Sequence, residues 1–313
     1  MGYYLYKLKF TSPLHMGKSA SASSLDDGQM TIHADTIFAA LCSEALKQGE
    51  LDLLYSYFND DFLTISDALP YKKEELYLPK PILFTSSAKR GGDRSLKKAL
   101  KDLEYVPATE FNNYLQNINQ ADFDPDRYTT DFGSMMVITR VAVKGQSSPL
   151  PYHVAGWRFN PDCGLYIVLR AKSDEALELF NNLLFNLGLS GIGGKISSGW
   201  GKFEVESSSL PDSLFNMLKD DKANYQMLLG TYLPTEDKLE RALASGWYAL
   251  LRRGGFIRSE TYAIGQMKKR TIYMLSAGSC LRTRIAGGIF DVSDNGSHSV
   301  WRNGKTLFVG VNI

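Results

Sequence analysis

Apolar and polar residues alternate from the start of the chain. Over residues 3–10, Tyr4, Tyr6, Leu8 and Phe10 fall on one side, which predicts a strand. A serine-rich loop spans residues 11–24, and HADTIFAALCSEALKQG follows it. There Asp35 opens a helix, Ile37, Phe38, Leu41 and Ala45 form its buried stripe, and Gly49 ends it. Farther along, LYIVL (residues 165–169) reads as a short buried strand. In residues 174–187, Leu177, Phe180, Leu183, Leu184 and Leu187 recur at helical spacing, and residues 202–206 alternate again as a strand. Strand, loop, helix at the front and strand, helix, loop, strand at the back are the two halves of a ferredoxin-like βαββαβ unit.

Between these halves the pattern predicts a long irregular insert, residues 71–131. Lys89, Arg90, Arg94, Lys97, Lys98 and Lys101 make a basic patch in it, and Asp122, Asp124, Asp126 and Asp131 follow as an acidic stretch. MMVITRVAV, the turn KGQSSPL and YHVAGWRF then predict a long β-hairpin over about residues 134–159. After a link at 207–222, strands are expected at 224–233, 247–251, 270–275 and 307–312, and a short helix at 236–244. The chain therefore reads as α+β with two ferredoxin-like domains, residues 1–210 and 211–313, the first carrying the insert and the hairpin.

The most telling stretch is GLSGIGGKISSGWGKFE, residues 188–204. It holds six glycines, two lysines, three serines and a tryptophan. Glycine lets backbone approach a ligand, lysine and serine offer donors to phosphate oxygens, and tryptophan offers a face to a base. The loop leaves a helix and enters a strand. A P-loop or a dinucleotide fingerprint needs the reverse order, and Ile196 follows Lys195 where a P-loop requires serine or threonine. These features exclude a nucleotide-cofactor site and favour a nucleic-acid backbone.

Charge sharpens this. The 313 residues carry a net charge of only +1, but from Arg241 onward eleven Lys or Arg face three acids, a local excess of +8. A basic carboxy-terminal part suits a polyanion. No apolar run approaches the roughly 20 residues of a membrane helix. Cys42, Cys163 and Cys280 are scattered and odd in number, which predicts neither a disulfide framework nor a metal site and points to a reducing cytoplasm.

Five stretches, KLKFTSPLHMG, HADTIFAAL, GIGGKISSGWGKFE, RRGGFIRSE with the KKRTIYML and AGS after it, and SVWRNGKTLFVGV, occur in this order along nearly the whole chain. Together they resemble the RAMP superfamily of CRISPR ribonucleoproteins, and within it the fourth Csm subunit of type III-A interference complexes. The resemblance implies a binding subunit with no catalytic residue, cofactor or metal. Such a subunit holds the 5′ handle of the CRISPR guide RNA (crRNA), docks the large polymerase-palm subunit and abuts the adjacent backbone RAMP subunit. A thumb hairpin reaches the guide–target RNA duplex.

The residues expected to meet RNA are His15, Lys18 and His33 near the front, and Gly191, Gly193, Gly194, Lys195, Ser197, Ser198, Trp200 and Lys202 in the loop. Arg252, Arg253 and Arg258 are expected to do so in the second domain. Trp200 and His33 each have a second reading, as a core wedge and as a loop pin. Arg140, Lys144, Tyr152 and Trp157 belong to the expected thumb. The competing reading is a metal-independent, guide-processing endoribonuclease of the same superfamily, for which His15 is the candidate acid–base residue.

Overall fold

The computed structural model describes residues 2–17, 25–83, 94–120, 123–142, 150–259 and 261–312. Its first half runs β1 (Gly2–Phe10), α1 (Ala34–Gln48), α2 (Leu51–Asn59), β2 (Leu63–Ile65), β3 (Leu69–Lys72), β4 (Glu75–Pro79), α3 (Arg94–Asp102), β5 (Tyr105–Pro107) and α4 (Phe111–Asn117). The hairpin strands β6 (Gly133–Ala142) and β7 (Leu150–Phe159) follow, then β8 (Cys163–Ala171), α5 (Asp174–Ser190) and β9 (Phe203–Ser208). The second half holds α6 (Asp212–Lys219), β10 (Tyr225–Leu228), α7 (Glu236–Leu243), β11 (Leu250–Arg253), β12 (Ile272–Leu275), β13 (Cys280–Leu281), β14 (Ile289–Asp291), β15 (Trp301–Asn303) and β16 (Phe308–Val311). No helix among the described residues is long and apolar enough to cross a membrane.

In the main sheet β1 runs antiparallel to β8 on one side and to β9 on the other, with Leu8 opposite Leu165 and Phe10 opposite Phe203. β8 pairs next with β2 and β3, so the order β9–β1–β8–β3, with α1 and α5 as crossovers, is the ferredoxin-like arrangement. The predicted stripe of α1 is buried, and Gly49 closes the helix at φ 75°, its N–H bonding to the last-turn carbonyls of Ala45 and Leu46. Ser173 caps α5 by accepting from the Ala176 N–H, and that helix runs past its apolar stripe to Ser190.

Both faces of the sheet are covered. Tyr6, Leu8, Ile167 and Leu169 pack beneath α1, α2 and α5 against Phe38, Phe58 and Phe180. On the other face Leu5, Tyr166 and Val168 meet Phe111 and Tyr114 of α4, and Leu214, Met227 and Val309 of the second half. This double cover is why β8 is apolar without alternation.

Four expectations need correction. The insert is not irregular: β4 and β5 extend the sheet, and Tyr114 of α4 packs edge-on to Phe123 and Tyr128. Its apolar residues come in pieces of three to five between turns, too short to show a period. Lys98 and Lys101 lie on α3, while Lys89, Arg90 and Asp122 lie outside the described residues, as do the Arg94 and Lys97 side chains. The link at 207–222 contains α6, which buries Leu214 and Leu218. The strand expected at 247–251 is displaced to β11, paired only with β12, and the 224–233 strand is reduced to β10, between β13 and β16.

The halves are joined by a buried charge cluster. Asp35, in the first turn of α1, is 2% exposed and receives two bonds from Arg253, through Nε at 3.0 Å and Nη2 at 2.9 Å. Arg302 Nη1 donates to the same carboxylate. Burial alone pushes this carboxyl up, but the Arg253 and Arg302 guanidiniums overcome it and hold the pKa at about 2. Asp67 makes a second tie, accepting from the Ala34 N–H at 2.7 Å and the Thr231 N–H at 2.9 Å.

Lys269 shares the first cluster. Burial first, and then Arg302, lower its pKa from 10.5 to about 8. Between those values the unfolded chain keeps a proton that the folded chain has lost, so this group's contribution to stability rises with pH. Lys269→Met is therefore expected to be more stable than wild type in urea at pH 7. The advantage should shrink between about pH 8 and 10.5, and a pH-independent difference would contradict the assignment.

Candidate nucleic-acid interface

Three segments converge beyond the end of the sheet: the loop after β1, the glycine-rich segment between α5 and β9, and the hairpin. The glycine-rich segment folds back on itself, with Ile192 N–H donating to Gly201 O at 2.9 Å. It is stitched to the first loop by Gly194 N–H to His15 O at 2.9 Å and Gly201 N–H to Pro13 O at 2.8 Å. Such closeness forbids side chains. A Cβ at Gly193 would stand 2.5 Å from His15 O, one at Gly194 2.4 Å from the His15 ring, and one at Gly191 2.6 Å from Trp200 O. The close approach read from these glycines is thus to the protein's own backbone and ring. Only Gly199, at φ 80°, faces open space.

What the loop leaves on its rim is a short 3-10 turn, residues Ile196–Ser198, with Ser197 and Ser198 exposed and Lys202 exposed beyond it. Lys195 precedes the turn at φ 63°, a left-handed conformation that costs a side-chain-bearing residue roughly 1–2 kcal/mol relative to glycine. Its ammonium stands 5.3 Å from the Tyr152 ring centroid on the hairpin. From the opposite strand Arg140 donates to Ser198 Oγ at 2.8 Å and lies 5.6 Å from the Trp200 ring centroid. Two cations, two hydroxyls and the hairpin's inner face therefore share one surface.

Trp200 is a correction. At 6% exposure it is a wedge under the loop, fitted against Gly156, where a Cβ would come within 2.6 Å of the indole. His15 is 8% exposed beneath Gly194, and its Nδ1–H donates to Ala155 O at 2.6 Å, so the ring ties the first loop to β7. His33 contacts Asp67 Oδ2 at 2.9 Å, which makes it a pin between α1 and the loop before β3.

The hairpin pairs in unbroken register from Gly133 opposite Phe159 to Ala142 opposite Leu150. Trp157 is at its foot, exchanging two backbone bonds with Leu14. Toward the tip, Val137 (55% exposed) and Val141 (52%) present apolar side chains to solvent. Lys18 and Lys144 lie outside the described residues.

Arg253 is the second correction, because its guanidinium is committed to Asp35 and is not a free cation. Arg252, across from Tyr273, and Arg258 are exposed in the second half. Sequence reasoning missed Arg302 altogether. The only signal was a lone arginine within the otherwise uncharged SVWRNG stretch, and its partner is 267 residues away.

Residues 7–204 match the family model of the RAMP superfamily, and residues 221–311 match that of the CRISPR Csm4 C-terminal domain. The chain is 35% identical over 288 residues to the CRISPR system Cms protein Csm4 of Mycobacterium tuberculosis (strain ATCC 25618 / H37Rv), covering 92% of each. It is 30% identical over 320 residues to that of Streptococcus thermophilus, covering 100% of both. Among solved structures, it shares its fold with a chain of the Csm3–Csm4 subcomplex in the type III-A CRISPR-Cas interference complex. The TM-score there is 0.68 at 17% identity, covering 99% of this chain and 100% of that one. A chain of the Csm1–Csm4 cassette in complex with cA4 matches with TM-score 0.59 at 18% identity, covering 100% and 99%.

Proposed function

This chain belongs to the RAMP superfamily and, within it, to the Csm4 family, and from that premise we propose that it grips the 5′ handle of the guide RNA in a type III-A effector without cutting it. The observation that carries the reading is Lys195. Glycine would adopt its left-handed φ at lower cost, and the two residues before it are glycines, so the strain is sustained for the ammonium it places on the rim. Ser197, Ser198 and Lys202 continue the same rim and suit phosphate and ribose oxygens of a single strand.

The hairpin serves as the thumb. Val137 and Val141 offer an apolar edge to an unstacked base step, and Arg140 and Tyr152, paired opposite each other between those two positions, hold the hairpin against the RNA-binding rim. Solved relatives are found with Csm3 and with Csm1. By the same family relation this chain docks the adjacent backbone subunit and the large subunit. The endoribonuclease alternative needs an imidazole that reaches RNA, and His15 is covered by Gly194 and bonded to Ala155 O.

A filter-binding assay with handle-length single-stranded RNA tests the reading. Lys195→Ala with Lys202→Ala should weaken binding roughly tenfold or more. The salt slope should fall by about 1.4, from two phosphates at roughly 0.7 each. The recovered RNA should remain full length. Unchanged affinity and slope would show that the rim is not the contact.

A further inference from the structure

Around the end of β1, below the hairpin's foot, lies a cavity of about 540 Å³ that the residues of the RNA-binding rim do not line. Lys7 is at its floor. That side chain is buried, yet its ammonium reaches Lys73 O at 3.1 Å and Glu74 Oε2 at 2.8 Å, and passes 5.2 Å from the Tyr71 ring centroid. Glu74 belongs to the β3–β4 turn and its side chain is 91% exposed. It can therefore swing into water and leave Lys7 to another anion. Lys9, Lys73 and Arg158 add three cations to the lining, against Asp162 and Glu206 besides Glu74.

The apolar part of the wall is aromatic. Phe10 and Phe159 are stacked at 5.1 Å with their planes 21° apart, and both line the cavity. Tyr71 stays protonated, since burial, with Glu206 next, raises its pKa to about 12. Its hydroxyl is thus a fixed donor at neutral pH. The room for that ring comes from Gly164, where a Cβ would stand 2.8 Å from Tyr71 Cε1.

The cavity adjoins the segment that carries Lys202. Thr11 and Ser12 line it, and they hold Lys202 by Thr11 N–H to Lys202 O at 3.0 Å and Lys202 N–H to Ser12 Oγ at 2.9 Å. A strand leaving the rim at Lys202 reaches this opening next. We infer that the cavity is a single-nucleotide subsite of the RNA interface, with a phosphate on Lys7, Lys9 and Arg158 and a base against Phe159. The space far exceeds that of a bare anion, and an aromatic wall beside a buried ammonium matches a base joined to a phosphate. The inference rests on the RNA-binding reading above.

The test walks one abasic site along handle-length RNA, using the full-length chain. At one position the wild type should lose roughly tenfold in affinity. Arg158→Ala, an exposed residue whose loss leaves the fold intact, should bind intact and abasic RNA alike at that position, and Lys7→Met should do the same if it folds. Intact RNA bound by the wild type, with no abasic position coupled to Arg158, overturns the subsite and leaves the rim standing. Failure to bind RNA at any salt concentration overturns both. A free nucleotide shares this chemistry, so adenosine monophosphate is titrated in parallel. Thermal protection that Arg158→Ala abolishes, without abasic coupling, overturns the assignment to RNA.

Discussion

Asp35→Asn is expected to destabilise the protein by about 3–5 kcal/mol at pH 7. The substitution keeps the shape of the side chain and removes the carboxylate charge between Arg253 and Arg302, with Lys269 close enough for its charge to be felt. Removing one partner of a buried ion pair costs more than never having had the pair, because the remaining charges stay desolvated. The loss should also depend on pH. The folded carboxyl titrates near 2 and the unfolded one near 3.8, so the stabilisation is present above pH 4 and is lost as pH falls through 2. Urea unfolding of both proteins at pH 7 and at pH 3 measures it, and a variant as stable as wild type at pH 7 would show that the cluster does not join the halves.

The second large effect is expected at Gly201, whose φ is 73° and where a Cβ would lie 1.9 Å from Ile192 O. Gly201→Ala must open the bond pair that closes the loop on itself and on Pro13. Left-handed strain of roughly 1–2 kcal/mol adds to overpacking of roughly 1–3 kcal/mol. RNA affinity should fall as well, although no group on the rim is removed. Gly199→Ala is the matched control. It has a similar φ of 80° but nothing within 4 Å, so it should carry the strain alone. Equal thermal stability and equal RNA binding for the two alanine variants would contradict this account of the loop.

Much of the first half was readable in one dimension because its signals are local. The stripe from Ile37 to Ala45 needs only the helical period, and Gly49 needs only a helix end to cap. The hairpin needs two apolar runs and a turn. Elements lacking such signals were missed or misplaced. β4 and β5 are too short for a period, and α6 follows Pro211 in a stretch that reads as a linker. The site divided in the same way. Lys195, Ser197, Ser198 and Lys202 stand out from glycine-rich surroundings and lie on the rim, whereas Trp200 looks like a base platform until Gly156 is seen packed against it.

The order of strands and helices, the flanks of the glycine-rich bend and the basic bias of the last third follow from the chain's own letters, since periodicity, turn residues and net charge are properties of neighbours. Which cations are paired inside the fold and which stand at its surface was decided in three dimensions. Arg253 and Lys195 look alike in sequence, yet one neutralises an acid 218 residues away and the other sits on an exposed rim. Burial and pairing depend on groups far apart along the backbone, and local pattern carries no record of them.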